Sequence, residues 1–292
     1  MTGTDPLRAI LEQIDGWGAR HASAAVLTAT GVIATHGDQR RRYRWASVTK
    51  LVTAMSVLIA ADRGLLDLDE PAGPPGATVR HLLAHASGLA FNGDAILAQP
   101  GSRRIYSNPG FDALGALVVE RAGASFDRVL ATWILEPLGM AGTILVERPS
   151  QGLEGPADDL TAFTAELLSP TLLSAETMAT ATRVAFPRLP GVVPGVGRFD
   201  PCDWGLGFEI HGAKAPHWMG QANSPETFGH FGGWGTFLWV DPVAGAALVA
   251  LVDRDFGPWA LDTWPLFSDE VLDALDGAQS RLVDRSMLAR RK

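Results

Sequence analysis

The chain has 292 residues, of which 47% are hydrophobic and 19% charged, with a net charge of −8. Such a chain buries a large core; it is long for a single domain but workable as one with an inserted lobe. The basic residues form no long stripe, which argues against nucleic acid as a partner, and a single cysteine, Cys202, excludes an intrachain disulfide or a cysteine-rich metal site.

Residues Met1 to Pro6 lack the basic and apolar regions of a signal peptide. The longest apolar run, Leu51 to Ala61, is interrupted by Thr53 and Ser56 and is too short to span a bilayer. A cytoplasmic protein without membrane association is expected. Asp5-Pro6 reads as an N-cap followed by proline at the first helical position, and Leu7, Ile10, Leu11 and Ile14 mark one face of a helix. Ala24 to Thr30 and Val32 to His36 read as two strands meeting at Gly31. The charged stretch Gln39 to Arg44 reads as a solvated approach to the next helix. That helix opens at Ser47 as its N-cap, runs through Met55, Leu58 and Ala60, and stops at Gly64.

From Leu65 to about Gly197 strand signals nearly vanish. Val79 to His85, Pro109 to Gly123, Phe126 to Leu135, Asp158 to Leu168 and Ala175 to Thr182 all read as helices. Pro109 marks a first position, Gly123 a position past an end, and Ser125 and Ser174 two N-caps. Proline and glycine cluster from Phe186 to Gly197, a loop or linker. Strand character returns at Trp204 to Ile210, then in a long pair, Gly235 to Val240 and Ala246 to Asp253, turning around Asp241 to Gly245. A helix from about Trp259 to Leu275 and a basic tail ending Arg290-Arg291-Lys292 complete the chain. Strands at both ends with helices between imply one antiparallel sheet built from both chain ends, with a cleft against the helices. The expected division is one domain over 1–292, its sheet part about 1–64 and 200–292 and its helical lobe about 65–199.

Three short stretches carry the chemistry. Ser47-Val48-Thr49-Lys50 puts a hydroxyl and an ammonium one helical turn apart. The chain has only three lysines, and this one stands in a strongly apolar run, where burial lowers its pKa and fits it to take a proton from a neighbouring hydroxyl. Tyr106-Ser107-Asn108 precedes the helix at Pro109; Asn108 is expected both to cap that helix and to serve the site. Gly229-His230-Phe231-Gly232-Gly233-Trp234-Gly235 leads into the long hairpin, and its four glycines let the backbone approach a ligand.

In this order the three stretches resemble the serine β-lactamase and penicillin-binding protein superfamily, closest to its class C β-lactamase and family VIII esterase branch. His230-Phe231-Gly232 stands where lactamases usually carry Lys-Thr-Gly. Val79 to Leu89, Pro137-Leu138-Gly139-Met140 and Trp204-Gly205-Leu206-Gly207 also match the family, and the similarity runs from about Ala24 to Asp253. The resemblance implies an α/β fold of the α+β type, an antiparallel sheet flanked by helices with an inserted all-helical lobe. It further implies Ser47 as nucleophile and Lys50 as the group that helps deprotonate it. Tyr106 would be a second proton carrier, its pKa lowered by cationic neighbours. Asn108 would hold the substrate carbonyl side and Lys50. The N–H groups of Ser47 and Gly233 would form the oxyanion hole, with His230, Phe231, Gly232 and Gly233 along the substrate. No metal or organic cofactor is needed.

Three departures bear on the substrate. The segment from His36 to Ser47 is shorter than the family usually has, Phe231 removes a threonine hydroxyl that helps hold a lactam carboxylate, and no signal peptide is apparent. Together they favour a serine hydrolase of small esters or amides. A β-lactamase or D-amino-acid peptidase of the same fold is the alternative, and a catalytically silent binding protein is an alternative of another class.

Overall fold

A computed structural model describes residues 6–289, and side chains through residue 277. Asp5, the expected first cap, and the tail at 290–292 lie outside the described residues. The scaffold is a six-stranded sheet in the order β2-β1-β12-β11-β10-β9, antiparallel at every step. Its strands are β1 (Ala22–Thr28), β2 (Gly31–Gly37), β9 (Glu209–Ile210), β10 (Phe228–Gly232), β11 (Thr236–Asp241) and β12 (Ala246–Val252). The two chain ends meet where β1 pairs with β12, Val26 facing Leu248. β12 is buried along its whole length because both sheet faces are covered, so it reads as an unbroken apolar run rather than an alternation.

Alternation still sorts the side chains. Ala25, Leu27, Leu238, Val249 and Leu251 enter the core shared with the helices of the middle of the chain. Ala24, Val26, Trp239, Leu248 and Ala250 enter a second core under α1 (Pro6–Leu11) and α8 (Pro258–Ala289). Helix α1 is shorter than its apolar face suggests, passing at Glu12 into a 3₁₀ turn that ends at Gly16. Helix α8 continues well beyond Leu275. No helix among the described residues is long and apolar enough to cross a membrane.

The middle helices are α3 (Val79–Leu83), α4 (Asn108–Ala122), α5 (Phe126–Leu130), α6 (Ala157–Leu168) and α7 (Ala175–Ala181), close to the expected spans. Helix α5 runs on as a π-helical turn from Ala131 to Leu135. Ser125 and Ser174 cap as expected, and Gly123 ends α4 in the left-handed region at φ 62°. The expected absence of strands from Leu65 to Gly197 does not hold. Strands from this stretch enter two three-stranded sheets: β5 (Ile144–Leu145) and β6 (Leu153–Pro156) join β3 (Arg42–Arg44), and β4 (Arg104–Ile105) and β7 (Gly191–Val193) join β8 (Gly197–Phe199). Strands of two to four residues containing Gly155, Pro156 and Gly191 carry no period, so partners distant in sequence decide them. The Phe186 to Gly197 stretch is thus partly strand, and the supposedly solvated approach to Ser47 contains a buried Tyr43.

Helix α2 (Thr49–Asp62) is the hub: every residue from Thr49 to Ala60 is buried. A helix apolar on all sides belongs inside the core. Trp204 to Ile210 becomes strand only at Glu209 and Ile210, because its glycines serve close approach instead. A Cβ on Gly205 would stand 2.0 Å from the Ala181 carbonyl, and one on Gly207, at φ 97°, would stand 2.2 Å from the Ala54 Cβ on α2. Gly207→Ala is therefore expected to destabilise by about 3 kcal/mol through clash and backbone strain. Gly123→Ala, at positive φ but in open space, should cost only about 1 kcal/mol. Urea unfolding of both variants checks the contrast, and equal losses would refute the close-approach account.

Candidate active site

The candidate site lies where the first turn before α2, the start of α4 and strand β10 converge. Ala46 adopts φ 47°, a left-handed conformation that residues other than glycine seldom adopt. It turns the chain out of β3 into a 3₁₀ turn, Ala46–Val48, that leads into α2. Ser47 consequently sits in that turn and not at the N-cap; the cap position is Val48, which offers no side-chain bond. Ser47 thus caps no helix and borders the cleft.

Lys50 is fully buried. Its Nζ donates to Asn108 Oδ1 at 2.6 Å and to the Ser150 carbonyl at 2.7 Å, with Ser47 Oγ at 3.4 Å. The Tyr106 ring lies 4.7 Å from the same nitrogen. Burial pulls the Lys50 pKa down to about 7, against a smaller opposing pull from Asp112. Asn108 holds Lys50 as expected, and its Nδ2 donates to Asn92 Oδ1 at 2.9 Å. It is not the helix cap. Ser107 takes that role, its hydroxyl accepting from the Gly110 N–H at 3.2 Å, because the Asn108 side chain is committed to the cleft.

Tyr106 is buried, stacked on His85 with ring centroids 4.3 Å apart. His85 Nδ1 accepts from the Ser107 N–H at 3.1 Å, which ties the Tyr106-Ser107-Asn108 turn to the end of α3. The expectation that cations lower the Tyr106 pKa fails. Burial, the dominant cause, drives it far above the ordinary phenol value and outweighs the adjacent Ser47 hydroxyl. Tyr106 is a neutral phenol at rest.

His230 Nδ1 lies 2.6 Å from the Phe231 carbonyl, so that nitrogen carries the proton and Nε2 accepts from the Tyr106 hydroxyl at 3.3 Å. Burial, together with the Lys50 charge, holds the His230 pKa at about 4, so the imidazole stays neutral across the physiological range. The Phe231 ring packs on Phe256 at 4.5 Å and on Trp218 at 5.5 Å, so it is core as well as pocket wall. Gly232 is required by proximity: a Cβ there would meet the Trp45 carbonyl at 2.3 Å and the Ser47 nitrogen at 3.2 Å. Gly233 faces open space. Gly232 thus lets the backbone of β10 lie against the Ser47 turn.

A pocket of about 260 Å³ opens beside Ser47, walled by Phe91, Val193, Trp204, Phe231 and Phe256. Sequence reasoning did not single out several of its supports. Ser150 binds Lys50 through a backbone carbonyl, which no side-chain signal announces. Thr49 and Thr53 of α2 hold the same loop, bonding Leu153 N–H at 3.0 Å and the Pro149 carbonyl at 2.6 Å. Glu209 lines the pocket although fully buried. It accepts from His217 Nε2 and Trp218 Nε1, each at 2.8 Å, with Lys214 Nζ at 3.5 Å. Burial pushes its pKa up, but those partners outweigh it and keep the carboxyl ionised.

A serine, a buried amine and a phenol on an antiparallel sheet with flanking helices define a protein of the serine β-lactamase and penicillin-binding protein class. The chain belongs to the beta-lactamase family, whose profile matches residues 7–271. It is 51% identical to a Mycobacterium bovis protein of known crystal structure described as a β-lactamase, covering 91% of this chain and 99% of that one at a TM-score of 0.90. It is 27% identical over 139 residues to penicillin-binding protein 4* of Bacillus subtilis, which is 36% of this chain and 31% of that protein. It is also 27% identical over 145 residues to the D-alanyl-D-alanine-carboxypeptidase/endopeptidase AmpH of Escherichia coli, 37% of this chain and 38% of that protein. The similarity thus spans about a third of the length of these two relatives.

The Lys50 titration can be followed directly by NMR with isotope-labelled lysine, since the chain has three lysines. One resonance should titrate at about 7 and vanish in Lys50→Met. An unfolded lysine keeps its proton to about 10.4, so Lys50 adds stability as pH rises from about 7 toward that value. A Lys50 midpoint near 10 would overturn the account.

Proposed function

We propose that this protein is a serine hydrolase that cleaves small esters or amides through an acyl-enzyme on Ser47. The observation that carries the reading is Lys50. It is fully buried, its Nζ is 3.4 Å from Ser47 Oγ, and its pKa is lowered to about 7. Above that pH it is an amine able to accept a proton, so Lys50 is the group that takes the Ser47 proton as Oγ attacks the carbonyl. Tyr106, a phenol at rest, serves as the acid. It passes a proton to the leaving oxygen or nitrogen and is reprotonated through Lys50. The N–H groups of Ser47 and Gly233 receive the oxyanion, and water then releases the acyl group by the reverse proton path. His230 orients Tyr106 by accepting its hydrogen bond and contributes no charge.

The pocket favours a short apolar acyl group. A lactam carries a carboxylate close to its scissile carbonyl, and at the third motif it would meet the Phe231 ring and a neutral His230 in place of hydroxyl and ammonium. The descriptions of the relatives favour a second reading, hydrolysis of lactams or D-alanyl amides. A fluorophosphonate probe and a substrate panel separate the two. Wild type should form a mass-shifted adduct at Ser47 and hydrolyse an uncharged short-chain aryl ester with higher kcat/KM than nitrocefin. Ser47→Ala should lose both adduct and turnover while remaining folded. Adduct formation at another residue would refute the nucleophile, and faster hydrolysis of nitrocefin would favour the second reading.

The proton path has its own test. Tyr106→Phe keeps the stacking on His85 and removes the hydroxyl. A loss of about 10²–10⁴-fold in kcat with little change in KM is expected. An unchanged kcat would leave Lys50 as the sole proton carrier.

A further inference from the structure

A second groove, of about 300 Å³, adjoins the catalytic pocket, and Phe91, Tyr106 and Pro194 are common to both. Its floor is one face of the small sheet β4-β7-β8. Ile105 stands beside Val192, and Val192 beside Arg198, so these three side chains leave the sheet on the same side. Arg103, two residues before Ile105, also borders the groove. Arg104 faces the other way. It is buried and satisfied by the carbonyls of Ala84 and Phe186.

The groove has two chemical characters. Leu97 and Val192 are more than half exposed along it, at 54% and 52%. Arg103 and Arg198 are exposed at its border. Among the described residues neither arginine makes an ion pair, and no acidic side chain lines the groove. Arg103 donates only to the Leu97 carbonyl, at 3.0 Å, which leaves most of its guanidinium free. In a chain of net charge −8, this combination suits a ligand with an apolar stretch that ends in an anion. Guanidinium groups bind carboxylate and phosphate through paired N–H donors.

We propose that the groove is a substrate subsite that receives an anionic terminus, carboxylate or phosphate, joined to the scissile bond through an apolar spacer. The inference rests on the hydrolase reading of the adjoining pocket and narrows its substrate class. It differs from recognition of a lactam carboxylate at the third motif, because the charge here sits beyond Phe91 and Tyr106, away from His230 and Phe231.

The test uses matched aryl and alkyl esters whose spacers end in methyl, carboxylate or phosphate, with the terminus in either the acyl or the alcohol half. For one half, the anionic esters should exceed the methyl-ended ester in kcat/KM by roughly tenfold, mainly through KM. Each exposed pair contributes up to about fivefold, so Arg103→Ala and Arg198→Ala should each reduce that ratio by up to about fivefold. Arg198→Glu should reverse it, and high salt should erase it. The ratio between carboxylate and phosphate identifies the preferred anion. Equal rates for all three termini, or a preference that survives the substitutions, would overturn the subsite.

If no ester is turned over, the hydrolase reading fails by itself, and equilibrium binding decides the groove. Calorimetric titration should then show an alkyl carboxylate or phosphonate binding more tightly than the alcohol of equal length, with the difference lost in the double Arg103→Ala, Arg198→Ala variant. Equal binding of acid and alcohol would refute it.

Discussion

The interior of this protein is arranged around an amine in the middle of an apolar core. Helix α2 is surrounded on all sides, and Lys50 enters that environment as its second residue. An isolated buried ammonium is unfavourable by several kcal/mol or more, so the surroundings must supply acceptors or let the proton go. Both happen. Asn108 and the Ser150 carbonyl converge on Nζ from two different elements, and the pKa falls to about 7. Satisfying one nitrogen therefore fixes the start of α4 and the loop at Pro149 and Ser150 relative to α2. Thr49 and Thr53 extend the same stitching, which explains hydroxyls on a helix that otherwise packs like pure core.

The second constraint is steric. β10 approaches the turn at Trp45 to Ser47 so closely that only glycine fits at position 232. That contact joins the sheet, built from both chain ends, to the first turn before α2, and Ser47 and Gly233 line one pocket. The left-handed Ala46 belongs to the same geometry, because the chain must turn sharply between β3 and α2 to bring Ser47 to the cleft.

In the proposed reaction, electrostatics divide the proton-handling roles. Lys50, Tyr106 and His230 are all buried, and burial acts on each in the direction of its neutral form. A neutral amine is a base, a neutral phenol an acid, and a neutral imidazole with its proton on Nδ1 an acceptor. One physical effect thus yields three different groups, whereas the buried Glu209 remains ionised because His217 and Trp218 donate to it and Lys214 pairs with it.

Much of this was legible from residue order. The amphipathic and capping signals located α4, α6 and α7 to within a residue or two, the glycine and turn signals located the long hairpin, and three short motifs named Ser47, Lys50, Tyr106 and Asn108, which fold into one cluster. These features are local: a helix period, a cap, or a spacing of three along one turn is written in adjacent residues. The tertiary structure alone decided the rest. The two small sheets pair strands too short to show a period, Ser107 displaced Asn108 as cap because Lys50 claimed the amide, and the Tyr106 pKa rises because enclosure outweighs nearby charge. Ser150, Glu209 and the row of Ile105, Val192 and Arg198 act through backbone carbonyls, burial or cross-strand neighbours that lie up to about a hundred residues apart. Sequence fixes what each side chain can do, but distance and solvent exclusion determine what it does, and both arise only when the distant segments close around it.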